Sequence, residues 1–167
     1  MSSQWTYQKA EGPTVSVVLP TYNRAHLVGR AIQSVLSQTY GNLELIIVDD
    51  GSTDRTREVI GDFQDKRIRY LWHAHNTGAA AARKRGIRAS GGRYVAFLDS
   101  DDEWMPGKLE RQMEVFAEAS PVTGIVHTGV WRPRGNRKRY HPSSLRRLAG
   151  VIPSKIRRLQ GNVHCAL

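Results

Sequence analysis

The chain has 167 residues, enough for one hydrophobic core and too few for two of ordinary size; 40% apolar and 24% charged are globular values that exclude disorder over most of its length. No stretch approaches the roughly 20 apolar residues of a membrane helix, residues 1–13 lack the apolar core of a secretory leader, and the single Cys165 forms no intrachain disulfide and fits a reducing cytosol. The net charge of +10 is uneven: residues 1–118 hold 15 basic and 15 acidic side chains, whereas residues 119–167 hold 10 basic and none acidic. Such an excess suits anionic lipid, nucleic acid, the phosphates of a substrate, or a solvated face whose acidic partners lie elsewhere.

In chain order, Val15 to Leu19 is a β-branched run closed by Pro20, and Leu43 to Val48 is a second apolar run closed by Asp49. Neither alternates, so both read as strands buried on two faces. Between them Leu27, Ala31, Val35 and Leu36 recur at helical spacing, and Val59, Ile60 and Phe63 do so behind the start signal Ser52-Thr53-Asp54. Ile68 to Trp72 and Tyr94 to Leu98 are further strands, followed by helices over Thr77 to Ala89 and Pro106 to Ala119, the latter with Pro near its first position. Strand and helix in alternation define an α/β fold: a mostly parallel sheet with helices on both faces, whose ligands bind beyond the carboxyl ends of the strands. After Pro121 the pattern changes. Gly124 to Trp131 reads as a strand, Arg132 to Arg139 as a basic turn, Tyr140-His141-Pro142 as a returning strand, and Leu145 to Leu148 and Ile156 to Leu159 as short helical pieces.

Asp99-Ser100-Asp101-Asp102 follows the strand at Tyr94 to Leu98, and Asp49-Asp50 follows that at Leu43 to Val48. Carboxylates at two strand ends converge on one edge of the sheet, where a hard divalent cation takes one or two of them and leaves positions for phosphate. The plainer reading is an acidic turn that caps the next helix. In Pro20-Thr21-Tyr22-Asn23-Arg24, Asn23 can cap a helix and an exposed Tyr22 can stack on a planar ring. At Asp49-Asp50-Gly51-Ser52-Thr53-Asp54 a carboxylate can accept a pyrimidine imide N–H or ribose hydroxyls, and helix capping accounts for Asp54 and Asp49 better than for Asp50. The small residues Gly78 to Ala82 allow close approach, with Arg83 a cation for base or phosphate. Six histidines show no zinc spacing, and no phosphate loop or nucleophile elbow is present.

With these motifs in their observed order, residues 14–118 resemble the N-terminal part of a family 2 glycosyltransferase. Val15 to Arg24, Val35 to Tyr40 (Val-Leu-Ser-Gln-Thr-Tyr), Leu43 to Asp54, Asn76 to Gly86 and Gly92 to Leu109 carry the likeness. The resemblance implies an inverting, nucleotide-sugar-dependent transferase of Rossmann-like fold, taking a UDP- or dTDP-sugar with Mn²⁺ or Mg²⁺ held at Asp99-Ser100-Asp101. By that resemblance Pro20, Tyr22 and Asp50 contact the nucleoside, Arg83 the base or diphosphate and Ser100 the ribose or sugar. Asp101 binds the metal with Asp99 beside it, and Asp102 stands behind them or caps the next helix.

The implied division is a tail over 1–13, a donor-binding domain over 14–131 and a basic segment over 132–167 that begins an incomplete acceptor side. The family's general base lies well beyond the metal motif, and this chain has no Asp or Glu after Glu118, so it reads as truncated at its C-terminus. The alternative is a nucleotide-sugar-binding module or inactive remnant. The acceptor is an unidentified glycan, lipid or protein, and the expected location is cytoplasmic, with peripheral contact at the inner face of the membrane through the basic segment. No specific nucleic acid is expected, because the tail lacks regular aromatic interleaving and the body lacks an extended basic face.

Overall fold

The computed structural model describes residues 12–120, 123–134 and 137–141 and the backbone of 164–166. The helical pieces expected at 145–148 and 156–159 lie outside these residues, as does most of the N-terminal tail. In chain order the elements are β1 (Val15–Thr21), α1 (Val28–Leu36), β2 (Leu43–Asp49), α2 (Thr56–Gly61), β3 (Ile68–Trp72) and α3 (Ala79–Ala89). They continue with β4 (Tyr94–Phe97), α4 (Lys108–Glu118), β5 (Ile125–Val126), β6 (Val130–Arg134), β7 (Arg137–His141) and β8 (His164–Ala166).

Six strands form one sheet in the order β3-β2-β1-β4-β8-β5, with every neighbouring pair parallel. Each residue of β1 and β2 is buried, as strands covered on both faces require, and the two polar residues within the apolar runs satisfy each other, Ser16 Oγ donating to Glu44 Oε1 at 2.6 Å. On one face Val28, Ala31, Ile32 and Val35 of α1, Ile60 of α2 and Leu109 of α4 close over Val15, Val17, Leu19, Leu45 and Ile47. On the other face Ala82 and Ala89 of α3 lie on Ile46, Val48 and Leu71. A fully buried side chain of this size contributes about 1.5–3 kcal/mol, so the α1–α4 face supplies most of the cohesion. The small stripe of α3 brings helix and sheet backbones close: a Cβ on Gly86 would overlap Val18 Cγ1.

Several boundaries differ from the sequence expectation. β1 runs through Pro20 to Thr21, because β4 is paired with it only as far as Val18–Phe97. Val18 O accepts from Leu98 N, so the alternate residue Pro20 faces the side where no strand partner remains to need its missing N–H. α4 begins at Lys108 rather than Pro106. The preceding turn is held by Gln38, whose Nε2 donates to Met105 O at 2.8 Å while its Oε1 accepts from Leu109 N at 2.9 Å. That buried amide gives the Val-Leu-Ser-Gln-Thr-Tyr segment a physical reason, since it ties the end of α1 to the start of α4. The single strand expected over 124–131 is two pieces, β5 and the start of β6, and most of the expected basic turn is strand: β6 and β7 pair antiparallel from Val130–His141 to Arg134–Arg137. The boundary at 131/132 therefore falls inside β6.

Candidate functional site

The sheet order reverses direction between β1 and β4: α1 and α2 lead the chain one way along one face, and α3 leads it back along the other. Open parallel sheets form a crevice at the carboxyl end of such a reversal. Here it is a cleft of about 430 Å³. Pro20, Tyr22, Asp50, Arg83, Asp99, Ser100 and Asp101, the residues singled out from sequence, all line it. Asp50 and Asp101 thus share one cavity.

The rim is stitched from loops distant in sequence. Asn23 adopts φ 50°, a left-handed conformation that asparagine tolerates better than most residues. This turns it away from capping α1, whose cap position is Leu27. Instead Asn23 Oδ1 accepts from Thr53 N at 2.8 Å, and Asn23 N donates to Ser52 Oγ at 2.9 Å. Ser52 and Thr53 do not cap α2 either. Asp54 does the local work, accepting from Thr56 N at 3.0 Å and from Ala25 N at 3.1 Å. Gly51, at φ 81°, passes so close to the next loop that a Cβ would lie 2.7 Å from the His75 carbonyl carbon.

The paired aspartates divide sharply. Asp49 is fully buried and accepts from Ser52 N at 2.9 Å and Tyr70 Oη at 2.8 Å; burial, with this carboxylate second, pushes the tyrosine hydroxyl's pKa up. Asp50 reaches the cleft but is saturated by protein groups. Thr77 N and Gly78 N donate to Oδ2 at 2.9 and 2.6 Å, Thr77 Oγ1 donates to Oδ1 at 2.6 Å, and His73 Nδ1 lies 2.6 Å from the same Oδ1. Burial alone would raise this carboxyl, but the donors from Thr77, His73 and Gly78 outweigh it and hold it at about 2. Asp50 therefore anchors the loop that starts α3, and a base imide could engage it only by displacing one of these donors.

At the end of β4, Asp99 forms an ion pair with Arg83 of α3, both side chains half-exposed. Ser100 is buried and Asp101 is exposed. Asp102 does not cap α4, whose cap position is Gly107 five residues on; burial and then the charges of Asp101 and Asp99 raise its carboxyl, with Arg132 opposing them. Among the described residues no three His, Cys, Asp or Glu side chains surround one point. A cation could be met by Asp101, with Asp99 once it leaves Arg83. That donor set suits Mg²⁺ or Mn²⁺, which take one or two carboxylates and complete their shell with substrate phosphate, and three crowded acids are the electrostatic setting a cation relieves.

The small residues Gly78, Ala79 and Ala82 line the cleft as well, whereas sequence reasoning gave no site role to Thr21, Arg24 and Asn76, which also line it. Thr21 is 4% exposed, and its Oγ1 has no hydrogen-bond partner among the described residues. His73 follows β3 and Thr77 precedes α3, but their bonds reach Asp50 across α2 and β3 and so carry no local signal.

A parallel sheet flanked by helices, with its acidic cleft at the β1/β4 reversal, is the architecture of nucleotide-sugar transferases. The chain belongs to glycosyl transferase family 2, whose family model matches residues 16–166. It is 46% identical over 101 residues to the UDP-Glc:α-D-GlcNAc-diphosphoundecaprenol β-1,3-glucosyltransferase WfgD of Escherichia coli, covering 60% of this chain and 40% of that protein. It is 42% identical over 108 residues to WfaP of the same species, named for the same reaction, covering 65% of this chain and 43% of the relative. The chain thus spans about two fifths of the length of these relatives. Among solved structures, the mannosyltransferase PcManGT of Pyrobaculum calidifontis, in complex with GDP-Man and Mn²⁺, superposes with TM-score 0.60 at 30% identity over 75% of this chain and 38% of that one. S. aureus TarS 1-349 in complex with UDP-GlcNAc gives TM-score 0.66 at 23% identity over 74% of this chain and 36% of that one, a likeness of fold.

Proposed function

We propose that the cleft binds a nucleoside-diphospho-sugar, a UDP- or dTDP-sugar by preference, and that the chain is the donor-binding part of a glycosyltransferase acting on an acceptor hydroxyl with Mg²⁺ or Mn²⁺. The observation that carries this reading is the meeting of Asp50, Arg83 and Asp101 in one cleft at the sheet reversal. Tyr22, 42% exposed at the rim, offers its ring to the base. Asp50 and the Thr77–Gly78 loop form the wall beside it. Arg83 is placed to exchange Asp99 for the diphosphate, and Ser100 faces the ribose or sugar. Asp101, with Asp99 beside it, would hold the cation, which offsets charge on the departing diphosphate when bound. The acceptor oxygen then attacks the anomeric carbon in line from the side opposite that diphosphate.

WfgD supports the reading through the UDP-Glc donor in its name, and PcManGT through its GDP-Man and Mn²⁺. Residues 14–131 would form the donor domain and 132–167 the start of the acceptor side, at the inner face of the membrane. No helix among the described residues is long and apolar enough to cross a membrane. The lack of any Asp or Glu in 119–167 favours a second reading, a donor-binding module without transfer activity, since the base that deprotonates the acceptor hydroxyl is then not supplied from this segment.

Calorimetric titration of UDP, dTDP and GDP with and without Mn²⁺ tests the donor site. The expected result is Mn²⁺-dependent binding that favours the pyrimidine nucleotides and weakens about tenfold or more, roughly 1.4 kcal/mol, in Asp101→Ala. Equal, weak, metal-independent binding of all three nucleotides would sink the reading.

A further inference from the structure

Arg83 and Asp99 meet across the donor cleft. Both line it, one on α3 and the other at the end of β4, and their side chains are 37% and 50% exposed. The pair therefore sits at the surface of the cavity, where a ligand reaches both charges, and it has the modest strength of a solvated ion pair. Asp102 N donates to Asp99 O at 3.0 Å, a turn that gathers the carboxylates of Asp99, Asp101 and Asp102 into one short stretch. Among the described residues, Arg83 supplies the one ion pair that any of these three acids makes.

This arrangement makes each half-loaded state costly. A diphosphate that draws Arg83 away without a cation leaves Asp99 unpaired beside Asp101 and Asp102, and like charges so placed repel. A cation that takes Asp99 without a diphosphate leaves the guanidinium stripped of its acceptor and next to a second positive charge. When both arrive, one ion pair is exchanged for two contacts, Arg83 with phosphate oxygens and Asp99 with the cation, and neither side chain is left alone. We propose that Asp99 is the resting counter-ion of Arg83, and that their ion pair is a plug across the cleft that admits cation and diphosphate together and disfavours either alone. The proposal rests on the donor-site reading above and makes Asp99 an exchangeable group rather than a standing metal ligand. By reciprocity, the plug strengthens nucleotide binding in the presence of Mn²⁺ by the same factor as it strengthens Mn²⁺ binding in the presence of nucleotide.

The test uses the 167-residue chain and measures binding of UDP in EDTA, of Mn²⁺ without nucleotide through its electron paramagnetic resonance signal, and of uridine as a ligand without phosphate. Asp99→Asn should raise metal-free UDP affinity roughly two- to fivefold, the size that a half-exposed ion pair carries, and leave uridine unchanged. Arg83→Gln should raise nucleotide-free Mn²⁺ affinity by a similar factor. Because the gain from Asp99→Asn acts through Arg83, it should vanish when the change is made in Arg83→Gln. Asp101→Asn, which removes a neighbouring charge but leaves the plug in place, should give a smaller gain. Both results separate the plug from a general effect of negative charge. Unchanged or weaker metal-free UDP binding in Asp99→Asn, the same gain in the Arg83→Gln background, an equal gain in Asp101→Asn, or no gain in Mn²⁺ affinity in Arg83→Gln overturns the plug. Failure of the wild type to bind UDP even with Mn²⁺ counts against the donor reading alone, and the plug is then judged by the same cycle with inorganic pyrophosphate.

Discussion

Asp49 and Asp50 are neighbours with opposite surroundings, and the difference can be measured. Asp50 is held at about 2 against an ordinary 3.8, and its side chain is only 4% exposed, so solvent screens little of the effect. At about 1.4 kcal/mol per pKa unit this is about 2 kcal/mol of native-state stabilisation. Because the folded pKa lies below the unfolded one, that contribution is complete above about pH 4 and is lost as the pH falls through about 2. Asp65, also held at about 2, mainly by Arg67, titrates in the same window, but with 26% of its side chain exposed it contributes less. Urea midpoints measured from pH 5 to 2 should fall steeply in the wild type and less steeply in Asp50→Asn, which at neutral pH should be about 2 kcal/mol less stable because Thr77 N or Gly78 N loses an acceptor. Parallel curves would remove Asp50 from the acid transition. At this scale the sequence already separated Asp54 and Asp49 from Asp50, since a carboxylate just before a helix has a local use. It could not reveal that Asn23 would face Thr53, 30 residues away, or that Thr21 Oγ1 would line the cleft without a partner among the described residues, because both follow from loop packing rather than from neighbours in the chain.

The strand and helix periodicities located β1 to β4 and α1 to α4, and the errors fall at their ends, where tertiary bonds override local signals. Gln38 delays α4 past Pro106, and Asp54 starts α2 later than Ser52. The stretch of small residues that opens α3 reads as room for a helix or a ligand, and it serves both: Gly78, Ala79 and Ala82 line the cleft, while further along α3 Gly86 sits against Val18. In an exposed helix Gly86→Ala would gain up to about 1 kcal/mol of helix propensity. Here overpacking against β1 should outweigh that gain, for a net loss on the order of 1–2 kcal/mol. Val18→Ala makes room, so Gly86→Ala/Val18→Ala should be more stable than the sum of the two single changes implies. The urea double-mutant cycle measures the coupling, and additive losses would mean that α3 does not press on β1 at this point. Arg83 rides on the same helix, so nucleotide affinity should fall in Gly86→Ala and recover with Val18→Ala.

Order along the sheet belongs to the whole molecule, and here the sequence was least informative. Alternation of strands and helices gave a parallel sheet and the edge at which ligands bind, but no local pattern marks the three residues His164–Ala166 as a strand seated between β4 and β5. Pairing rather than propensity places them, with Tyr94, Val95 and Ala96 opposite His164, Cys165 and Ala166. The hydrogen-bond directions make the dependence testable amide by amide. Tyr94 N donates to Thr14 O and Leu98 N to Val18 O, so alternate residues of β4 bond toward β1, while Val95 and Phe97 bond toward β8. In a chain ended after Gln160, hydrogen exchange at Val95 and Phe97 should accelerate by an order of magnitude or more, while Ala96, still covered by β1, should change much less. Exposing the edge of β4 should also loosen the Asp99–Asp101 turn that follows it, so Mn²⁺-dependent nucleotide binding should weaken in the same shortened chain. Unchanged protection at Val95 would place β8 outside the sheet; lost protection with full nucleotide affinity would instead mean that β1 and α3 alone hold the acidic turn in place.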